Sequence, residues 1–160
     1  MNIASFGGGT NSAAMIIGMI QRGEPLDLIL FADTGGEKPH TYEFVKTFNE
    51  FLKTKNYPEV ITVKKVDKNG EVLTLEQDCL NGNRLPSLAY GFKTCSQKFK
   101  LQPQEKYCNN WQPAKDFWAT GEKITRLIGF DAGEGHRTAK VYEDKKYVNR
   151  YPLVEWGWDR

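Results

Sequence analysis

The chain contains few of the residues that bind metals or form disulfides. It has three cysteines and two histidines, with neither a Cys-x-x-Cys nor a His-Glu-x-x-His spacing. Disulfide frameworks and zinc sites need closely spaced sets of these residues, and a cysteine-bound iron–sulfur cluster needs four. We therefore expect no bound metal centre and no iron–sulfur cluster, and we expect a reducing, cytoplasmic location.

Long apolar runs and a strong net charge are also missing. No stretch approaches the roughly 20 apolar residues of a membrane span, and the N-terminus lacks a signal-peptide pattern. The net charge of +2 is too small to indicate a nucleic-acid partner by itself. Binding of nucleic acid through the lysines between Lys93 and Lys106 is the less favoured alternative. The length predicts a single domain over 1–160, short or truncated at its aromatic C-terminus.

Apolar strands and amphipathic helices alternate along the chain. Predicted helices run over Asn11–Arg22, from Pro39 onward, and over Ser96–Asn110 with a bend near Pro103. Residues 71–75 fit a strand or a helix, and 81–95 fit a loop. The predicted strands are Asn2–Phe6, Leu26–Ala32, Glu59–Lys65, Ile124–Phe130 and, at an edge, Lys146–Leu153. This pattern predicts a Rossmann-like three-layer α/β/α sandwich with a mostly parallel sheet.

Three consecutive glycines follow the first predicted strand. The loop, here named the glycine loop, reads Gly7, Gly8, Gly9, Thr10, Asn11, Ser12. Glycines let the backbone approach a ligand closely, and any of the three polar residues can cap the helix that follows. The N-terminus of a helix favours anions, phosphate above all. Since neither the kinase-type P-loop nor the G-x-G-x-x-G pattern is present, we predict a phosphate site of another kind.

Polar residues also follow two other predicted strands. In parallel sheets, ligands bind beyond the carboxyl ends of the strands, so these residues and the glycine loop are expected to form one site. The second strand is followed by Asp33, Thr34, Gly35 and Glu37. The fourth contains Gly129 near its end and is followed by Asp131, Glu134 and Arg137.

Four blocks of sequence, in order from Ser5 to Arg137, resemble the phosphoadenosine phosphosulfate (PAPS) reductase family of the PP-loop, adenine nucleotide α-hydrolase-like superfamily. Thr10-Asn11 stands where ATP-using members have Lys-Asp, and no cysteine follows Cys108, whereas sulfonucleotide reductases use one near the C-terminus. The blocks are the glycine loop; Asp33-Thr34-Gly35 with Glu37, Pro39, Thr41, Tyr42 and Phe44; Cys95-Ser96-x-Lys98-x-Lys100-x-x-Pro103; and Gly129-Phe130-Asp131 with Glu134 and Arg137.

The resemblance implies an adenine nucleotide, ATP or PAPS, as the ligand. It implies phosphate contacts from Ser5 and the glycine loop, and adenosine contacts from Asp33, Thr34 and their neighbours. Mg²⁺ would accompany ATP, and Cys95 is a candidate for the missing thiol. The remaining implied site residues are Lys98, Lys100 and Arg137 at the phosphate or sulfate end, and Gly35, Glu37, Gly129, Asp131 and Glu134 beside the nucleotide.

Two classes of function remain open from the sequence. The first is an enzyme that reduces the sulfate of PAPS, or that attacks the α-phosphate of ATP, the latter also within a nucleic-acid-modifying system. The second is a non-catalytic module that binds or senses an adenine nucleotide, which the Thr10-Asn11 replacement and the missing C-terminal cysteine favour. A homo-oligomer is compatible with both classes, and no membrane partner is expected.

Overall fold

A computed structural model describes residues 1–85, 94–138 and 144–159, whose strands form one five-stranded sheet. The strand order is β3-β2-β1-β4-β5, and each neighbouring pair is parallel. The predicted Rossmann-like α/β fold with a parallel sheet is confirmed. The strands are β1 (Asn2–Phe6), β2 (Leu28–Asp33), β3 (Val60–Lys64), β4 (Ile124–Ile128) and β5 (Tyr147–Arg150).

Helices cover both faces of this sheet. One apolar core lies between the sheet and α1, α2 and α7, and a second lies between the sheet and α5 and α6. Among the described residues, no helix is long and apolar enough to cross a bilayer. The helices are α1 (Thr10–Gln21), α2 (Pro39–Thr54), α3 (Leu75–Asn81), α4 (Thr94–Ser96), α5 (Gln102–Asn110), α6 (Gln112–Ala119) and α7 (Pro152–Glu155), with a π-helical segment Gln97–Leu101 and a 3₁₀ helix Ala132–Arg137.

The order of the strands places a switch point between β1 and β4. The chain moves from β1 outward through β2 to β3, then crosses back to β4 on the other side of β1. The connections after β1 and β4 therefore leave the sheet in opposite directions, which opens a crevice beyond their carboxyl ends. The glycine loop follows β1, and the 3₁₀ helix follows β4.

Prolines explain two differences from the predicted elements. The predicted strand Lys146–Leu153 was too long, because the strand ends at Arg150 and Pro152 occupies the first turn of α7, where its missing N–H costs nothing. The predicted helix Ser96–Asn110 begins at Thr94 and changes to π geometry over Gln97–Leu101. Proline clashes with the carbonyl four residues before it, and for Pro103 that residue is Phe99, inside the π segment.

The segment between β3 and α3 uses both structures that the sequence left open. Val66 pairs with Val72 in an antiparallel bridge, and α3 then begins at Leu75. A capping box starts this helix, because Gln77 N–H donates to Thr74 Oγ1 at 3.1 Å and Thr74 N–H donates to Gln77 Oε1 at 3.0 Å. Such reciprocal bonds satisfy two amides of the first turn. Most of the predicted loop 81–95 lies outside the described residues.

The C-terminal residues connect α1 to the 3₁₀ helix. The guanidinium of Arg22 lies 4.0 Å from the ring centroid of Trp156 and 4.9 Å from that of Trp158. Trp158 accepts a hydrogen bond at 2.8 Å from the amide of Ala132, the first residue of the 3₁₀ helix. Through the two tryptophans, these contacts link the C-terminal end of α1 to the start of the 3₁₀ helix.

Candidate functional site

A cavity of about 710 Å³ opens at the switch point, beyond β1 and β4. Its volume lies within the range of small-molecule sites, roughly 300–1,000 Å³. The glycine loop forms one wall, the chain from Ser96 to Gln104 forms a second, and the end of β4 with the 3₁₀ helix forms a third. The lining residues that the sequence predicted are Ser5, Gly7, Gly9, Thr10, Asn11, Ser12, Lys100, Gly129, Glu134 and Arg137.

The start of α1 presents free amides at this cavity. Gly9 is the N-cap residue and therefore supplies no capping side chain. The Ser12 hydroxyl turns back to the glycine loop, where it accepts from Gly7 N–H at 3.1 Å and donates to Gly9 O at 3.0 Å. The predicted capping by Thr10, Asn11 or Ser12 was thus wrong. The amides of Thr10, Asn11 and Ser12 have no acceptor in the described part of the chain.

Gly129 in the cavity lining and Gly8 beside it have no room for a side chain. A Cβ on Gly129 would lie 2.9 Å from Ser12 Cα and 3.0 Å from Ser12 N, so the residue after β4 packs directly on the backbone of α1. Gly8 has a φ of +69°, and its Cβ would lie 2.7 Å from the side-chain atom Thr41 Cγ2. Because position 129 carries no side chain, none from it covers the first amides of α1.

Two cationic side chains line the same cavity as these amides, and each lies near a carboxylate. The Lys100 ammonium lies 3.9 Å from Glu37. Arg137 pairs with Glu134, and its guanidinium lies 3.9 Å from the ring centroid of Phe130. The hydrogen bond from Arg137 is the main cause that lowers the pKa of the Glu134 carboxyl. Arg137 is therefore both an ion-pair partner, as a surface arginine would be, and part of the cavity wall.

Asn11 joins α1 to the 3₁₀ helix. Its amide Nδ2 donates to Asp131 at 3.0 Å and to Glu134 at 3.4 Å, and Asp131 also accepts from the Glu134 amide at 3.1 Å. A carboxylate at position 11, as in the resembled loop, would face two like charges here. The structure thus explains why an amide fits this position. Mg²⁺ binds largely through ligand phosphates and water, so it remains an expectation that depends on ATP.

The turn after β2 lies next to the cavity and is held by its own hydrogen bonds. Asp33 accepts from Gly35 N–H and from the Tyr42 hydroxyl, both at 2.8 Å, and pairs with Lys64 at 3.3 Å. Thr34 donates to Glu37 at 3.2 Å. These residues do not line the cavity, although Glu37 reaches its wall through Lys100. Burial raises the pKa of Asp33, but the bonds from Gly35, Tyr42 and Lys64 outweigh it and lower that pKa.

Asp33→Asn tests this network through its pH dependence. Since the pKa of Asp33 is lower in the folded chain, its contribution to stability is present above the ordinary carboxyl pKa and is lost as the pH falls through the lowered value. We expect the wild type to be more stable than the variant by about 1–3 kcal/mol at neutral pH, with the difference shrinking in acid. Urea unfolding at several pH values measures it; a constant difference would contradict the account.

The remaining predicted residues lie apart from the cavity lining. Lys98 pairs with Asp78, and this hydrogen bond is the main cause that lowers the pKa of the Asp78 carboxyl. Cys95 is half-buried in α4, and its neighbour Ser96 lines the cavity instead. Lys93, the first of the lysines considered for nucleic-acid binding, lies outside the described residues. Within the described ranges, no three His, Cys, Asp or Glu side chains gather as metal ligands do.

Sequence reasoning missed three polar residues on the cavity floor. Gln104 comes from α5, Arg126 from the middle of β4, and Asn149 from β5. A charged residue inside the apolar strand Ile124–Ile128 is itself a signal, because buried parallel strands are normally apolar throughout. The other two carry no comparable signal, since polar residues are ordinary on a surface helix and on an edge strand.

Comparison with known proteins shows similarity to part of a curated phage protein. No protein-family profile matches the chain. The uncharacterized nin region protein ORF290 of Escherichia phage lambda is 31% identical over 158 residues, an alignment that covers 86% of this chain and 50% of that protein. The chain therefore spans about half the length of this curated relative, and it is similar to part of that phage protein.

Proposed function

We propose that the chain binds an adenine nucleotide, ATP or PAPS, with its phosphates at the N-terminus of α1. One observation carries the proposal: the amides of Thr10, Asn11 and Ser12, which have no acceptor within residues 1–85, 94–138 and 144–159, belong to a cavity whose wall also carries Lys100 and Arg137. Amides and the helix dipole favour an anion at this point, and cations add charge-assisted hydrogen bonds. The crevice position is typical of nucleotide sites in open α/β sheets.

The adenine part of the proposal comes from the family resemblance. The geometry supports a phosphate-bearing ligand, and the four sequence blocks support adenosine as the group that carries the phosphate. The turn from Asp33 to Glu37, which the resemblance places beside adenosine, lies next to the cavity and contacts it through the Glu37–Lys100 pair. A nucleotide lying across the glycine loop would extend toward this turn.

We further propose an enzyme similar to PAPS reductases, which acts on the phosphate or sulfate end of its nucleotide. Charge that develops on a phosphoryl or sulfuryl group is stabilised by preorganised amides and cations. The α1 amides, Lys100 and Arg137 are the groups suited to this role. Lys98 is engaged by Asp78, so it contributes less in our proposal than the resemblance implies.

A non-catalytic nucleotide-binding module is the second candidate. The position of Cys95 favours it, because this side chain does not line the cavity. Incubation with PAPS and a dithiol reductant separates the candidates through release of sulfite and adenosine 3′,5′-bisphosphate. Incubation with ATP and Mg²⁺ separates the enzyme from the module through release of pyrophosphate. Binding without either product supports the module, and formation of one product supports the enzyme.

Calorimetric titration with ATP, PAPS, AMP and adenosine tests the binding proposal. We expect each phosphorylated ligand to bind at least tenfold more tightly than adenosine, because the amides of α1 recognise the phosphate. The same series with GTP checks the preference for adenine. Absence of binding by every adenine nucleotide at millimolar concentration would overturn the proposal, and equal affinity for ATP and adenosine would overturn its phosphate site.

Arg137→Ala is expected to weaken nucleotide binding by about tenfold or more, measured with whichever of ATP and PAPS binds the wild type more tightly. Hydrogen bonds to charged groups contribute roughly 1.5–3 kcal/mol, and 1.4 kcal/mol is tenfold in affinity. Arg84→Ala is the matched control, since it removes the same charge and an arginine–carboxylate pair, with Asp78, away from the cavity. Equal losses in the two variants would show that overall charge, rather than contact, is responsible.

A further inference from the structure

We infer that the cavity floor is a second recognition site, which binds the carboxylate of a small-molecule second substrate. The site consists of Ser5, Gln104, Arg126 and Asn149, here named the floor cluster. As the site of a second substrate it rests on the proposed function, but its binding chemistry can be tested without any nucleotide.

Three sheet strands and one helix bring the floor cluster together. Arg126 and Asn149 are register partners across β4 and β5, so both side chains leave the same face of the sheet. Ser5 belongs to that face on β1, and its hydroxyl donates to Gln104 Oε1 of α5 at 2.7 Å. The cluster thus combines one guanidinium, two amides and one hydroxyl along the bottom of the cavity.

Arg126 has hydrogen-bonding capacity that the described residues do not use. Its side chain is only 12% exposed and donates from Nη2 to Glu105 at 3.2 Å. Its guanidinium lies 4.0 Å from the ring centroid of Tyr147; burial raises the pKa of this phenol, which stays neutral. A guanidinium carries five N–H donors, and a nearly buried charge is costly unless it is paired. Within the described residues, the donors of Arg126 that reach neither Glu105 nor Tyr147 have no hydrogen-bond partner and can bind a ligand.

The backbone of Arg126 lies farther down the sheet than the contact of Gly129 with α1. Arg126 precedes Gly129 by three residues, and at about 3.3 Å per strand residue its Cα lies about 10 Å from that contact along the strand direction. Ser5, the register partner of Ile128, lies between the two. We therefore assign to Arg126 a ligand group separate from the phosphate at the glycine loop.

The charge balance favours a carboxylate over a phosphate at the floor cluster. Glu105 offsets part of the charge of Arg126, and the other members of the cluster are neutral. A guanidinium binds a planar carboxylate through two parallel hydrogen bonds, and the side-chain amides of Gln104 and Asn149 can donate to the same carboxylate. A dianionic phosphate would find no second cation among the members of the floor cluster.

NMR observation of the Arg126 Nε–H signal during titration of the full chain with acetate tests the inference. Acetamide, which has nearly the same shape without the charge, is the matched probe, and inorganic phosphate is the competing anion. We expect acetate at millimolar concentration to shift the Arg126 signal, with acetamide and phosphate shifting it far less. An equal shift by acetamide, a larger one by phosphate, or none by acetate would overturn the inference.

Two variants give opposite expected changes. Arg126→Gln should lower the affinity for acetate at least tenfold, and Glu105→Gln should raise it several-fold, because it removes the carboxylate that competes for Arg126. Arg84→Gln is the control and should change neither affinity. If Arg126→Gln does not fold, Asn149→Ala on the exposed edge strand replaces it, with an expected loss of several-fold. Unchanged or reduced affinity in a folded Glu105→Gln variant would overturn the inference.

The inference and the proposed function fail separately. Acetate binding at Arg126 without any nucleotide binding would support the floor cluster and overturn the nucleotide proposal. Nucleotide binding without any shift of the Arg126 signal by acetate would support the nucleotide proposal and overturn the floor cluster as a carboxylate site.

Discussion

Gly129→Ala is expected to lower both stability and nucleotide affinity. The added Cβ would lie 2.9 Å from Ser12 Cα and 3.1 Å from the carbonyl carbon of Asn11, and neither backbone atom can move without displacing α1. Overpacking of this kind costs about 1–3 kcal/mol. The same displacement moves the free amides of α1 away from the ligand, so we expect affinity to fall tenfold or more. Urea unfolding and calorimetric titration with the tighter nucleotide measure the two effects.

Gly135→Ala is the matched control for this prediction. Gly135 lies in the neighbouring 3₁₀ helix, its φ is not positive, and a Cβ there would meet no atom within 4 Å. Alanine at such a position changes stability by only a fraction of a kcal/mol, commonly upward. Similar losses of stability in both variants would show that the segment after β4 as a whole, rather than the contact of Gly129 with α1, is responsible.

Gly9→Asp is expected to raise stability while it removes nucleotide binding. Gly9 is the N-cap of α1 with extended φ and ψ, and a Cβ there would meet no atom within 4 Å. Aspartate is among the best N-cap residues and also complements the helix dipole, which together contribute a few tenths to about 1 kcal/mol. Its carboxylate would occupy the amides that we assign to phosphate. Since like charges in contact cost several kcal/mol, affinity should fall at least about a hundredfold.

Gly9→Asn separates charge from capping. Asparagine caps a helix about as well as aspartate does, so both variants should show similar unfolding midpoints. The neutral amide competes for the same N–H groups without repelling phosphate, and we expect a loss of about tenfold, clearly smaller than for aspartate. Nucleotide affinity that is unaffected in Gly9→Asp would contradict the placement of phosphate at α1.

The fold could be predicted because its signals are local. β1 and β2 are apolar runs that end in glycines or polar residues, and parallel strands covered on both faces require such runs. The edges of the sheet were less predictable. The apolar residues from Tyr147 to Leu153 are divided between β5 and α7 by Pro152, and a strand pattern and a short helix look alike over so few residues.

The candidate site could be predicted only where its residues are close together in the sequence. The glycine loop and the residues after β4 are contiguous motifs, and both line the cavity. The helix cap was mispredicted because residue preference indicates which side chains suit an N-cap, not where the Ser12 hydroxyl turns. The floor cluster draws Gln104, Arg126 and Asn149 from three separate elements, and only the packing of α5 on the sheet brings them together.

Amide-resolved NMR titration of the wild-type chain with ATP and with PAPS tests the central claim most directly. We predict that the largest shifts fall on the amides of Gly8 to Ser12 and on Gly129, and that adenosine leaves these signals nearly unchanged. Shifts centred elsewhere, such as the groove between β3 and α5 lined by Lys64, Tyr107 and Trp111, would contradict the account, as would the absence of any shift.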